Sequence, residues 1–372
     1  DEPLKMRQRG SRLAARGGIW LVADMDGTLI PTPHKADGRR PLLTASPVYP
    51  HLVNWLEGGG SLLLITTATT NRTLKQCFEP LPIHLRRSGR VLVCCCSGAI
   101  LLTGDVNGTA VIVDSYHKNA LPGGTCPSVE QAQFATEYGL SSVLRIINES
   151  RDTPEILSAL SAKWRNQWQD FRKIESSELQ NEVLTMERAV KRGEFEHLAP
   201  TQDNVISLGY SELLDRTPTQ VTVGGIPMCK FEHFYPSPVL EEHRAHGLHV
   251  KPQPNSVCVT RLGLDKATVI NYLVTHTQEY GFALDRAVAI ADIPDGPDRP
   301  LTGFAAMPFV SVAQTPSAAD GPFFVGGEED GTAYFLKHLL PLVSEEEQQH
   351  GLPQLVAQAV QAAQREVAAS KL

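Results

Sequence analysis

The apolar positions of this chain come in short runs, and most runs stop abruptly at polar or charged residues. The first is Ile19-Trp20-Leu21-Val22-Ala23. Its aromatic and β-branched content, with no polar alternation, predicts a strand buried on both faces, as in a parallel sheet. Two carboxylates one residue apart, Asp24 and Asp26, follow it, and then a Gly27-Thr28 turn. Strand alternation would start both carboxylates on the same side of the sheet, with Met25 opposite. Ser46-Pro47 predicts a helix start, with Ser as cap and Pro in the first turn. That helix carries Val48, Leu52, Val53, Trp55 and Leu56 and stops at Gly58-Gly59-Gly60. Leu62-Leu63-Leu64-Ile65 reads as the next strand and ends in Thr66-Thr67-Ala68-Thr69. A right-handed strand–helix–strand unit brings the two polar ends to one edge of a sheet.

Val91 to Leu102 is a further apolar run, interrupted at Ser97-Gly98. From about Pro122 the periodicity changes. Thr153 to Lys173 reads as a long helix, and Gln220–Tyr235 and Gly247–Thr260 as short antiparallel strands with Gly and Pro turns. The α/β pattern returns at Leu264. Asp265-Lys266 opens a helix carrying Val269, Ile270, Leu273 and Val274, and Ala287-Val288-Ala289-Ile290-Ala291 is a buried strand ending in Asp292. Ala305–Val312 adds a strand and Thr332–Val343 a helix; Leu352–Val367 is an Ala-rich amphipathic helix suited to packing. The fold class expected is α/β: a Rossmann-like parallel-sheet core with an inserted α+β domain. Residues 1–121 and 262–343 would form the core, 122–261 the insertion, and 344–372 a C-terminal helical tail.

Composition narrows the function classes. The chain has 372 residues, 42% hydrophobic and 20% charged, ordinary values for a globular protein of two domains. A net charge of −7 leaves no electrostatic footprint for nucleic acid. No apolar run approaches the ~20 residues of a membrane span, so no membrane partner is expected. Seven cysteines, three of them consecutive (Cys94, Cys95, Cys96), suit neither a disulfide framework nor a zinc site. The triplet reads as a small-residue core strand, and a reducing, intracellular compartment follows. That compartment is expected to be the cytoplasm, with an organelle left open by the Arg-rich segment through Arg16.

The chemistry lies where the strands end. Two like charges as close as Asp24 and Asp26 are tolerated where a cation holds them or one carries a proton. If the sheet is parallel, the same edge also receives Thr66 or Thr67, Asp292 and Lys266, and the Pro31–Pro41 loop leaves from there. Three carboxylates, a hydroxyl and an ammonium suit a magnesium ion shared with a phosphate: hard oxygen ligands for the cation, donors for the phosphoryl oxygens. A carboxylate there can itself be the nucleophile.

Asp24-Met25-Asp26-Gly27-Thr28-Leu29 resembles the first motif of the haloacid dehalogenase-like hydrolases. Leu64-Ile65-Thr66-Thr67 resembles the second, Leu262-Gly263-Leu264-Asp265-Lys266-Ala267 the third, and Ala289-Ile290-Ala291-Asp292 with Asp298-Arg299-Pro300-Leu301 the fourth. The resemblance spans Ile19 to Leu301 in the family's order. It implies that Asp24 attacks phosphorus and that Asp26 protonates the leaving alcohol and then activates water. Thr67 (or Thr66) and Lys266 would bind the phosphoryl group. Asp24, the backbone carbonyl of Asp26, Asp292 and Asp298 would surround the magnesium. An insertion between the second and third motifs is the family's type-two cap, as in the sucrose- and trehalose-phosphate phosphatases. It implies a small phosphorylated metabolite, most plausibly a sugar phosphate, as the partner.

The chain also departs from the family. Thr67-Ala68-Thr69 stands where Thr-Gly-Arg is common, with Arg72 further on, and Ala291 stands where Gly often precedes the acidic residue. Asp295 and Asp298 compete for the outer acidic position, with the Asp298 context the closer match. Ser97-Gly98-Ala99 resembles an Asn-Gly-Ala turn of relatives. Two further readings remain: a phosphomutase of the phosphomannomutase type, and a non-catalytic binding protein that keeps the fold. Oligomeric state is not legible. His233 and His243, in a polar stretch, read as solvated or hydrogen-bonded, and Phe231, Phe234 and Tyr235 as packing the insertion's core.

Overall fold

The computed structural model describes residues 18–32, 41–135, 206–210, 218–224, 235, 237–253, 256–345 and 350–370. The predicted Thr153–Lys173 helix, the Arg-rich opening segment, residues 33–40 of the Pro31–Pro41 loop, and Phe231, His233 and Phe234 lie outside them. Among the described residues no helix is long and apolar enough to cross a membrane.

The first unit comprises Asp1–Gly124 and Asp265–Leu372. It begins with β1 (Trp20–Ala23), β2 (Ser61–Ile65), β3 (Val91–Cys95), β4 (Ile100–Gly104) and β5 (Ala110–Ile112). The second unit, Thr125–Leu264, contains β6 (Ile206–Tyr210), β7 (Pro218–Gly224), β8 (Leu248–Gln253) and β9 (Ser256–Arg261). The chain then returns to the first unit with β10 (Ala287–Ala291), β11 (Phe309–Ser311) and β12 (Phe323–Phe324).

The first unit holds one eight-stranded sheet in the order β12-β11-β10-β1-β2-β3-β4-β5. The six strands from β12 to β3 are parallel, and β4 and β5 extend the sheet antiparallel. β1 is central because every one of its residues is buried on one face or the other. Trp20 and Val22 share a core with Leu63, Ile65, Leu92, Ala287 and Ala289, covered by Val269, Ile270 and Leu273 of the helix Lys266–Thr275. Each such fully buried large side chain contributes about 1.5–3 kcal/mol by leaving water. The helices Val48–Glu57 and Glu328–Glu345 pack on each other, and Leu352–Ser370 packs along the latter.

From β1 the chain steps one way to β2 and β3, then later the other way to β10 and β11. The order therefore reverses between β1 and β10, and open α/β sheets place their ligands beyond the carboxyl ends of the strands at such a reversal. The apolar run from Val91 to Leu102 proves to be two strands joined by a tight corner. Cys96, Ser97 and Gly98 all take positive φ there (55°, 59° and 100°). The corner is held because Cys96 N donates to Ala68 O (2.9 Å) and Ser97 N to Thr66 O (3.0 Å). All three cysteines of the triplet are buried, as a small-residue core segment requires.

In the second unit the sheet order is β6-β7-β9-β8, antiparallel throughout. A helix, Ser237–Ala245, occupies the polar stretch around Glu242-His243. His243 is fully buried there rather than solvated. Its Nδ1 lies 2.8 Å from Val239 O, and its ring packs edge-on to Phe134 and Tyr235. Burial holds its pKa below the usual histidine value. It is an aromatic core residue with one backbone hydrogen bond.

Candidate active site

β1 stops at Ala23, paired with Ile290 of β10 on one side and Leu64 of β2 on the other. Asp24 is thus the first residue beyond the central strand, and its N–H still donates to Ile290 O (3.1 Å). Asp292 is the first residue beyond β10. The two carboxylates meet because the strands end together.

Asp298 joins them from the turn that follows, and ligand oxygens of Asp24, Asp292 and Asp298 all lie within 4.8 Å of one another. Asp298 is fully buried, with Ile293 N donating to its Oδ2 (3.2 Å), whereas Asp295 is exposed. Burial therefore separates the two acidic residues that the sequence left in competition.

Lys266 reaches this group from the first turn of its helix. Asp265 caps that helix, accepting from Ala267 N (2.8 Å) and Thr268 N (3.2 Å), with the Thr268 hydroxyl returning to Asp265 N. The capped start fixes where Lys266 leaves the backbone. Its ammonium, buried, donates to Asp24 Oδ1 and to Asp298 Oδ1 at 2.5 Å each.

Burial pushes the Asp292 carboxyl up to about 8, helped by the charges of Asp24 and Asp298 and opposed by Lys266. Asp298 rises to about 6 through burial, with Lys266 pulling it back and Asp24 pushing it up. Asp24 is raised by burial against the attraction of Lys266. Burial disfavours the Lys266 ammonium, but Asp24 and Asp298 outweigh it and hold the group charged.

With all three carboxylates ionised, one ammonium would leave two negative charges uncompensated. A divalent cation would balance them. Hard oxygen donors select magnesium or calcium over softer metals. Asp292 Oδ1 is buried with no hydrogen-bond partner among the described residues, as an oxygen waiting for a cation would be. Gly27 lies against the same carboxylate: at φ +71°, a Cβ there would stand 2.3 Å from Asp292 Oδ2. The residues fit a divalent cation.

Asp26 takes a different place from the one strand alternation suggests. The chain leaves the strand at Asp24 and turns tightly, with Leu29 N and Ile30 N both donating to Met25 O and Gly27 N to Ile30 O. The Asp26 carboxylate falls outside the acidic trio and accepts from Arg72 Nη2 instead. Thr66 and Thr67 stand at the same sheet edge as Asp24, by the register of β1 with β2. The Thr66 hydroxyl is buried and accepts from Ala68 N (3.0 Å), while Thr67 is half-buried. Sequence reasoning noted Arg72 only as a displaced residue and missed Gln76, which accepts from Arg72 Nε at 2.7 Å.

No family model and no curated sequence matches the chain. Solved structures do. An IMP-nucleotidase from Plasmodium falciparum superposes with a TM-score of 0.51 at 8% identity, over 90% of this chain and 65% of that one. A haloacid dehalogenase subclass IIB sugar phosphatase matches at a TM-score of 0.46 and 14% identity, over 86% of this chain and 98% of that one. A haloacid dehalogenase-like hydrolase from B. subtilis matches at 0.47 and 13%, over 86% and 99%. The likeness to the IMP-nucleotidase is one of fold, and the fold of this chain is a Rossmann-like α/β core.

Proposed function

We propose that the chain is a magnesium-dependent phosphoric monoester hydrolase that acts on a small phosphorylated metabolite through an aspartyl-phosphate on Asp24. The observation that carries this reading is the convergence of Asp24, Asp292 and Asp298 on Lys266 at the topological reversal of the sheet, with Asp292 Oδ1 unpartnered. Bound among those carboxylates, magnesium supplies the positive charge that lets an anionic nucleophile and an anionic phosphoryl group approach.

The remaining work falls to side chains. Lys266, held against Asp24, favours its ionised form against the effect of burial and offers its ammonium to the phosphoryl oxygens. Thr67, half-buried where Thr66 is buried and held against Ala68 N, is the better placed of the two threonines to donate to phosphate. An Asp24 oxygen attacks phosphorus as the ester P–O bond breaks, and Asp26 gives its proton to the departing oxygen. In the second half Asp26 takes a proton from water. The water oxygen attacks phosphorus, the P–O bond to Asp24 breaks, and phosphate leaves.

Within this reading Thr125–Leu264, inserted between Thr67 and Lys266, is the type-two cap. A cap of that kind, in that position, supports a sugar phosphate as substrate. The test is phosphate release from p-nitrophenyl phosphate with magnesium. Asp24→Asn is expected to lower turnover by at least about 10³-fold while circular dichroism stays unchanged. Retained turnover in that variant, or no release by the wild type, refutes the mechanism. A panel of sugar phosphates against nucleoside monophosphates tests the substrate class; preference for the nucleotides removes the sugar-phosphate reading.

A further inference from the structure

The Asp26 carboxylate is the end of a chain of contacts that reaches well into the first unit. Arg72 uses two different nitrogens, Nη2 to Asp26 Oδ1 and Nε to Gln76 Oε1. Gln76 is buried, and its Nε2 donates to Pro41 O at 3.1 Å. Both ends of that amide are therefore engaged, and its orientation is set by backbone. The guanidinium is clamped in turn by a group that cannot rotate away.

The local backbone is unusual. The helix Thr70–Thr73 passes directly into a π-helical turn, Leu74–Phe78, closed by Glu79 N donating to Leu74 O at 2.8 Å. π turns recur at functional sites because the extra residue redirects side chains. This one carries Gln76. Arg72 and Asp26 are both largely buried, with side-chain exposures of 19% and 24%, so their pairing is not a solvent-screened surface bridge.

We propose that Arg72 is a positioning residue: it holds the Asp26 carboxyl group in the orientation that delivers a proton to the departing oxygen. The proposal rests on the reading of Asp26 as the acid of the first half-reaction. In that step the proton leaves the Asp26 carboxyl group for the ester oxygen as its bond to phosphorus breaks. Arg72 touches neither phosphorus nor the leaving group; it acts through Asp26.

Proton delivery matters most when the leaving group is poor. The test compares kcat/KM for phenyl phosphate and p-nitrophenyl phosphate, two esters of similar shape, in the wild type, Arg72→Met, Arg72→Lys, Asp26→Asn and the double variant Arg72→Met/Asp26→Asn. Arg72→Met is expected to lower kcat/KM about 10-fold or more on phenyl phosphate and less than about threefold on p-nitrophenyl phosphate. Arg72→Lys should fall between, because an ammonium keeps the charge but lacks the planar fork whose two nitrogens reach Gln76 and Asp26. The double variant should be no worse on phenyl phosphate than Asp26→Asn alone.

Equal losses on both esters, or losses that multiply in the double variant, overturn the proposal. If Arg72→Met does not fold, Gln76→Leu decides instead. That variant frees the guanidinium without removing its charge, and it must show the same bias toward the poorer leaving group. A leaving-group bias in Asp26→Asn that is missing in the Arg72 and Gln76 variants removes this proposal alone. No bias in Asp26→Asn itself removes the acid assignment, and this proposal with it.

Discussion

Replacing Asp292 with Asn is expected to make the metal-free protein more stable. The Asp292 carboxyl is pushed from 3.8 to about 8 in the folded state. Between those values the folded protein binds a proton that the unfolded chain has released, so stability falls as pH rises through the window. By pH 7 the single-group cost is about 4 kcal/mol, from roughly three pH units at 1.36 kcal/mol each. Asp24 and Asp298 titrate with Asp292 and share that cost, so the expected net gain in Asp292→Asn is about 1–3 kcal/mol. At ~2–4 °C per kcal/mol, thermal unfolding in EDTA at pH 7.5 should shift up by about 2–12 °C. The gap should narrow steadily toward pH 4, where the wild-type carboxyl no longer differs between the two states.

Magnesium should reverse the order near saturation. At about 1,000-fold its dissociation constant, a ligand of the native state adds about 4 kcal/mol. The wild type should gain this increment and the variant, short of one ligand, should not. Wild-type magnesium affinity should also rise with pH toward 8, because the carboxyl must lose its proton to bind. The reasoning fails if Asp292→Asn is the less stable protein in EDTA at pH 7.5 and magnesium stabilises both alike. The trio would then be a satisfied structural network.

Lys266→Met leaves Asp24 and Asp298 buried without a counter-charge and is expected to cost about 3–5 kcal/mol in urea unfolding at pH 7.5. The deficit should shrink toward pH 5, where both carboxyls can take protons; a deficit that does not change with pH would show that lost packing dominates. Thr67→Val should lower kcat/KM for p-nitrophenyl phosphate by about 10-fold or more with little change in melting temperature. Thr66→Val should do the opposite, since its hydroxyl serves Ala68 N, and the reverse pattern would exchange the two assignments.

The elements that position the site were legible because their physics is local. β1, β2 and β10 are buried on both faces, so their sequences are unbroken apolar runs, and the polar residue at the end of each marks the sheet edge. Asp265 signals a helix start through its side chain, and that start places Lys266. What was not legible depends on long-range burial or on irregular backbone. Asp295 and Asp298 stand three residues apart in a Pro- and Gly-rich turn, and only the fold decides which is enclosed. Gln76 lies in a π turn after a four-residue helix, too short to show a period. Ser97-Gly98 marks the corner in the sequence, but nothing there announces that Cys96 and Ser97 also adopt positive φ. The helix Ser237–Ala245 has a mostly polar sequence, and its buried face rests on a histidine.

The paired carboxylates show how one local error in periodicity changes the chemistry inferred. Extended alternation through Asp26 would keep both groups together and require one cation or one shared proton to relieve them. Because the strand ends at Ala23 and Gly27 bends the chain at φ +71°, the two groups take different partners. Asp24 goes to Lys266 and the trio; Asp26 goes to Arg72. Arg72 serves Asp26, so the carboxylates that share Lys266 are those of the trio. The protein thus resolves the repulsion in Asp24-Met25-Asp26 with two side-chain cations drawn from different helices. Among the described residues it leaves a place, beside the unpartnered oxygen of Asp292, where a divalent cation would relieve the carboxylates.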